Sequence, residues 1–197
     1  MTYKVPLHLR VTLKPGDHRA TKERTVLSTL LGSCVSACLY DPVARVSGMN
    51  HFLLANRRYA RNLPLNITEA GRYGIHAMEL LINDMMKLGA QRPRLQAKIF
   101  GGGAILDEGA DSHFLCVGEV NQRFIREFLA AEGIRIVSED LGGELGRVIH
   151  FHTDTFQVFR KFIPKTQTLR VERRELGIWK REIELSEDRE GPIVLFR

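Results

Sequence analysis

Three thiols and seven histidines hold most of the chemistry that this sequence offers. The thiols are Cys34, Cys38 and Cys116, an odd number that argues against a disulfide framework. Cys34 and Cys38 are four apart, and no second Cys/His pair with finger-like spacing follows, so a structural zinc site has weak support. What remains is thiol chemistry. An ordinary cysteine titrates near ~8.5 and is mostly un-ionised at neutral pH. An adjacent imidazole takes its proton and produces a far better nucleophile. The same imidazole then protonates a leaving amine, provided that a third group fixes its orientation.

One hairpin decides which histidine meets which thiol. Asp41-Pro42 is a turn signal between two apolar runs. With Pro42 and Val43 as the central turn residues, Tyr40 faces Arg45, Cys38 faces Ser47, Ser36 faces Met49 and Cys34 faces His51. Opposed residues of an antiparallel pair share a face, with Cβ atoms roughly 4.5–5.5 Å apart. This register groups Val35, Ala37 and Leu39 with Val46, Gly48 and Phe52 on an apolar face. Cys34, Ser36 and Cys38 then fall with Ser47 and His51 on a more polar one. A three-residue turn shifts the pairing by one and sends His51 to the other face. Ser28 and Thr29, upstream on the same run, are both candidates to orient the imidazole. Gly32, just before Ser33-Cys34, permits the sharp excursion that aims main-chain N–H groups at an oxyanion.

Other chemistry-bearing residues have simpler readings. Cys38 and Cys116 read as core thiols, since cysteine is among the most buried residue types. A redox pair of Cys34 with Cys38 is the competing use of the thiols. His150 and His152 share a strand face but lack a convincing third metal ligand. His76 lies in a helix flank, and His8, His18 and His113 carry no signal. Gly101-Gly102-Gly103 lacks the Lys-Ser/Thr ending of a phosphate-binding loop and reads as a tight turn beside the cleft. Asp140-Leu141-Gly142-Gly143 reads as another turn.

The elements that must position these residues follow from periodicity. Residues 25–40 read as one strand, 45–54 as a second, and 55–68 as a loop. Ile75, Met78, Ile82 and Met85 recur at helical spacing over 69–88, with Thr68 and Glu69 at the start and Gly89 at the end. Leu95–Phe100 and His113–Gly118 read as strands, and Asn121–Glu132 as a helix with Phe124, Phe128 and Leu129 on one face. Ile134–Ser138, Arg147–His152 and Phe156–Ile163 read as strands, and Lys14–Asp17 as a turn. The fold class is α/β or α+β, a layered sandwich of mixed, largely antiparallel sheet with at least two packed helices. Residues 1–164 make the domain. Residues 165–197 are a charged extension that docks as an edge strand through Ile193–Phe196.

Composition narrows the function classes. The chain has 197 residues, 44% of them hydrophobic, enough for a core without metal or disulfide staples. No apolar run approaches the roughly 20 residues of a membrane span. The segment MTYKVPLHLR has no signal-peptide features, so the protein is expected to stay in the cytoplasm. Net charge is +6, with 29 Lys and Arg against 23 Asp and Glu. The densest basic clusters (Arg57, Arg58 and Arg61; Arg173 and Arg174) sit in expected loop and tail without an interleaved aromatic stacking pattern, so nucleic acid is not the expected partner. An acidic protein surface is the better match.

Several segments in order resemble the CheD family, the chemoreceptor glutamine deamidases of bacterial chemotaxis. They are Leu31-Gly32-Ser33-Cys34-Val35 with Leu39-Tyr40-Asp41-Pro42, and Gly48-Met49-Asn50-His51-Phe52. Further along come Arg72-Tyr73-Gly74 through Leu88-Gly89-Ala90, Ala97-Lys98-Ile99-Phe100-Gly101-Gly102, and Asp140-Leu141-Gly142-Gly143 with Gly146-Arg147 and Phe151. The resemblance spans roughly residues 25–163. It departs at Val117-Gly118-Glu119-Val120-Asn121, where the family has an Arg before the Asn.

The resemblance implies Cys34 as nucleophile, His51 as general base and Ser28 at the third catalytic position, where the family carries Thr; Thr29 is the alternative. It implies hydrolysis of receptor glutamine to glutamate on the cytoplasmic helical bundle, with no cofactor or metal. It also implies glutamyl methyl ester hydrolysis as a side activity and, in some bacteria, binding of a CheC-type phosphatase. A non-catalytic adaptor on the same fold is the rival reading.

Overall fold

The computed structural model describes residues 10–54, 69–103 and 115–164, together with 166–168, 170, 171, 174 and 177. Among the described residues, nine strands form two sheets. They are β1 Arg10–Thr12, β2 His18–Thr21, β3 Val26–Leu31, β4 Val35–Asp41, β5 Val46–Asn50, β6 Gln96–Gly101, β7 Arg135–Leu141, β8 Arg147–His152 and β9 Val158–Phe162. The smaller sheet runs β1-β3-β8-β9 and the larger β2-β5-β4-β6-β7. Helices α1 Glu69–Lys87 and α2 Leu115–Ala131 pack on the larger sheet. The result is the expected α+β sandwich.

Every residue of β4 is buried, because both of its faces are covered. Val35, Ala37 and Leu39 pack with Met78, Leu81, Ile82 and Met85 of α1 and Phe124 and Ile125 of α2. Cys34, Cys38 and Tyr40 point the other way and meet Leu27, Leu31, Ile149 and Phe151 of the smaller sheet. This alternation gives the strand its mixed small, apolar and polar composition. It also makes the space between the sheets the place where Cys34 lies.

Helix α1 and strands β6, β8 and β9 lie where periodicity puts them. Helix α1 ends as expected, with Gly89 at φ 94° and Ala90 N–H donating to Met85 O at 3.1 Å. Three readings change. Residues 25–40 are not one strand: the chain turns at Gly32–Cys34, so β3 and β4 belong to different sheets. Residues 115–118 open α2 rather than continuing a strand. Their β-like composition is overridden by packing, since Gly118 lies against the Gly102 and Gly103 carbonyls, where a Cβ would come within 2.7 and 2.6 Å. Described residues 10–24 hold two strands, β1 and β2, around the expected Lys14–Asp17 turn.

The described residues of the extension between 166 and 177 are helical, and Thr168 is buried with its hydroxyl accepting from Gly146 N at 3.0 Å. The loop expected over 55–68 with its arginines, Thr68, His113, the Cys116 side chain, Arg173 and Ile193–Phe196 lie outside what is described.

Candidate active site

The hairpin closes differently from the expected one and still puts Cys34 and His51 on one face. Asp41 pairs with Val46, so the turn spans Pro42–Arg45 rather than Pro42–Val43 alone. Cys38 faces Met49 and Tyr40 faces Ser47, a slide of two residues from the expected register. A slide of two preserves which face each side chain takes, whereas a slide of one reverses it. Val35 pairs with Phe52 through N–H···O bonds of 3.0 Å in both directions. Cys34 therefore lies diagonal to His51 rather than opposite it, still within side-chain reach. The Asp41 carboxylate shapes the wider turn by accepting from Val43 N at 2.9 Å and Ala44 N at 3.0 Å.

The group that holds the imidazole is Thr29. Its Oγ1 lies 2.7 Å from His51 Nδ1 and donates to Leu13 O at 2.8 Å. A hydroxyl has one proton, and the Leu13 carbonyl only accepts, so Thr29 must accept from Nδ1–H. The network thus assigns the neutral tautomer with its lone pair on Nε2. Main-chain bonds fix the same histidine from below: Gly16 N donates to His51 O at 2.8 Å and His51 N to Asp17 O at 2.9 Å.

Ser28 is not at this histidine. Side chains alternate along β3, so Ser28 takes the other face, where its hydroxyl lies 2.7 Å from His150 Nδ1. The geometry gives the position beside His51 to Thr29. His150 and His152 share a face, as their spacing implies, and no cluster of metal ligands occurs among the described residues.

Electrostatics separate the candidate groups. Burial lowers His51 from its ordinary 6.5 to about 4, partly offset by the Leu13 carbonyl and the Asp17 carboxylate. At neutral pH the ring is therefore in its basic, uncharged form. Burial pushes the Cys38 thiol well up, with the Ser36 hydrogen bond and the Lys98 charge opposing it only in part, so this thiol stays protonated and inert. The redox pairing also fails on distance. Four residues of extended chain separate Cys34 and Cys38 by roughly 13 Å, beyond the ~7 Å that a disulfide tolerates. Cys34, Thr29 and His51 are all buried, and Cys34 has 0% exposure.

Three further side chains support the site, and none of them was among the candidate site residues read from the sequence. Asn121 of α2 donates from Nδ2 to Ser33 O at 2.9 Å and accepts at Oδ1 from Leu54 N at 2.8 Å. Gln122 donates to Gly102 O at 2.7 Å. Arg147, 1% exposed, pairs with Asp140 Oδ1 at 2.6 Å and donates to the Asp140 and Gly142 carbonyls, which fastens the Asp140–Gly143 turn. Asn121 did leave a signal, because it falls at helical spacing on the face of Phe124 and Phe128, and a polar residue in an apolar stripe needs partners. The Gly101–Gly103 turn borders the thiol, with Gly102 N donating to Cys34 O at 2.7 Å and Gly103 N to Gly32 O at 2.9 Å. Gly101 has φ 112°, and a Cβ there would meet Cys34 O at 2.1 Å, so only glycine fits.

Comparison with known proteins gives a consistent picture. The family model described as "CheD chemotactic sensory transduction" matches residues 56–162. The chain is 53% identical over 175 residues to the probable chemoreceptor glutamine deamidase CheD 1 of Geobacter sulfurreducens, covering 88% of this chain and 87% of that one. It is 50% identical over 157 residues to the probable chemoreceptor glutamine deamidase CheD 2 of Shewanella oneidensis, covering 78% and 76%. A Chromobacterium violaceum relative of the same description is 48% identical over 163 residues, covering 81% and 78%.

Proposed function

This chain belongs to the CheD family, and on that premise we propose that it deamidates glutamine side chains of chemoreceptors, with Cys34 as nucleophile, His51 as base and Thr29 as the residue that orients His51. The observation that carries this reading is the Thr29–His51 hydrogen bond, 2.7 Å long and buried between the sheets on the face that Cys34 shares. It fixes the proton on Nδ1 and leaves Nε2 as the basic atom.

The steps balance as follows. His51 Nε2 takes the Cys34 proton as the sulfur attacks the glutamine side-chain carbonyl carbon. The resulting oxyanion collapses, the C–N bond breaks, and the imidazolium gives its proton to the departing ammonia. A thioester remains. Water, deprotonated by the same Nε2, attacks it; the C–S bond breaks, glutamate leaves and the thiol is restored. Because Cys34 has no exposed surface, the receptor glutamine reaches it only after the groups that cover it part. The basic excess of the chain, +6, favours encounter with an acidic helical bundle.

The same burial favours a second reading, an adaptor that binds receptors, or a CheC-type phosphatase, without turnover. Incubation of a receptor cytoplasmic fragment with wild type and with Cys34→Ala separates the two. Deamidation predicts ammonia release and the amide-to-acid mass gain with wild type, and neither with Cys34→Ala. Binding by both proteins with no mass change establishes the adaptor instead. Cys38→Ala retains activity, since its thiol is sealed in the core.

A further inference from the structure

We propose that Asn121 is the positioning residue that sets the spacing between the thiol and the imidazole, an inference that rests on the Cys34–His51 reading above. The two reacting side chains come from different chain segments: Ser33 directly precedes Cys34, and Leu54 follows His51 by three residues. One carboxamide, 0% exposed, ties both segments to α2. Its Nδ2 donates to the Ser33 carbonyl at 2.9 Å and its Oδ1 accepts from Leu54 N–H at 2.8 Å.

The rest of the helix face explains why this tie is rigid. Gly118, one turn earlier, lies directly against the Gly102 and Gly103 carbonyls. Gln122 grips Gly102 O at 2.7 Å, and Gly102 in turn donates to Cys34 O at 2.7 Å. The helix is therefore a platform on which three loops rest, and Asn121 reaches from it to both segments that carry the reacting groups, adding a side-chain tie to the direct Val35–Phe52 backbone pair. Reaction by the proposed steps depends on sulfur and imidazole staying within hydrogen-bond reach, and a displacement of about 1 Å costs on the order of 100-fold in rate. Both bonds run from a fully buried carboxamide to main-chain atoms, so the effect falls on the chemical step rather than on receptor binding.

The experiment uses the full chain with Asn121→Ala and Asn121→Ser, and Ile125→Ala as a matched core change on the same helix. Three quantities are read: kcat and KM on a receptor fragment, the pH profile of Cys34 alkylation by iodoacetamide followed at its own peptide, and the Tm. The expected result for both Asn121 variants is a kcat lowered by about 10- to 100-fold with KM within twofold. Their Cys34 alkylation profiles shift away from that of wild type. Ile125→Ala lowers Tm while leaving kcat and the alkylation profile at wild-type values. An Asn121 variant that loses only Tm, with kcat and profile unchanged, overturns the proposal, and so does an equal kcat loss in Ile125→Ala. If Asn121→Ala does not fold, the smaller change to Ser decides. Activity retained by Cys34→Ala instead refutes the underlying chemistry, which keeps the two failures apart.

Discussion

The sharpest consequence of the geometry is that two adjacent hydroxyls on β3 should behave oppositely. Thr29→Val keeps the shape of the side chain and removes only its hydroxyl. That hydroxyl makes two buried bonds, 2.7 Å to His51 Nδ1 and 2.8 Å to Leu13 O. Without it, the Nδ1–H and the Leu13 carbonyl lose their shared partner at a site where Thr29 is 2% exposed. Leaving a buried polar group unsatisfied costs about 1–3 kcal/mol. If that cost falls on the orientation of His51 in the transition state, kcat drops by about 5- to 150-fold. Thr29→Ser restores the hydroxyl and most of the rate. Ser28→Ala removes a bond to His150 on the far side of the strand and leaves kcat within about twofold of wild type. The assay is glutamine-to-glutamate conversion in a receptor fragment, followed by mass, with each variant's Tm measured alongside. Loss of activity in Ser28→Ala with retention in Thr29→Val would falsify the assignment, and it would mean that the β3 face observed here is not the one used in turnover.

Two further expectations concern stability. His51 is lowered in the fold to about 4 from 6.5, so between these values the unfolded chain binds the extra proton and stability rises with pH. The contribution is fully present above pH 6.5 and lost as pH falls through 4. It amounts to roughly 3 kcal/mol, read as the difference between wild type and His51→Gln in urea unfolding at pH 7 and at pH 4.5; equal pH dependence in both proteins removes the claim. The second concerns Asp41, which burial pushes up but which the Arg94 guanidinium and the Ala44, Gln91 and Val43 N–H groups together hold down at about 2. Asp41→Ala strands those donors and Arg94 and destabilises by about 2–4 kcal/mol, seen as a lower denaturant midpoint at unchanged slope. A midpoint within error of wild type contradicts that role.

Much of the site was legible from alternation alone. Strand residues repeat every two positions, so the choice of face for Cys34 and His51 survives a register slide of two and a turn twice as long as expected. Helix α1 announced itself through Met78, Ile82 and Met85, all buried against the larger sheet. By contrast, the break at Gly32–Cys34 was hidden inside a continuous apolar run, because a strand buried on both faces and a strand that changes sheets have the same composition. The start of α2 was hidden in the same way, since its helical form depends on Gly118 fitting against the glycine turn.

The sequence by itself determined that a thiol and an imidazole share one face of a hairpin, because periodicity is a local property of the strand. Only the tertiary structure decided which hydroxyl joins them. Ser28 and Thr29 are equivalent as neighbours in the chain, but the smaller sheet lays its inner face on the larger one and turns Thr29, not Ser28, toward His51. The choice of Asn121 as the tie between the two loops is likewise tertiary, since Ser33, Leu54 and Asn121 come together only when α2 docks, and no local spacing records that meeting.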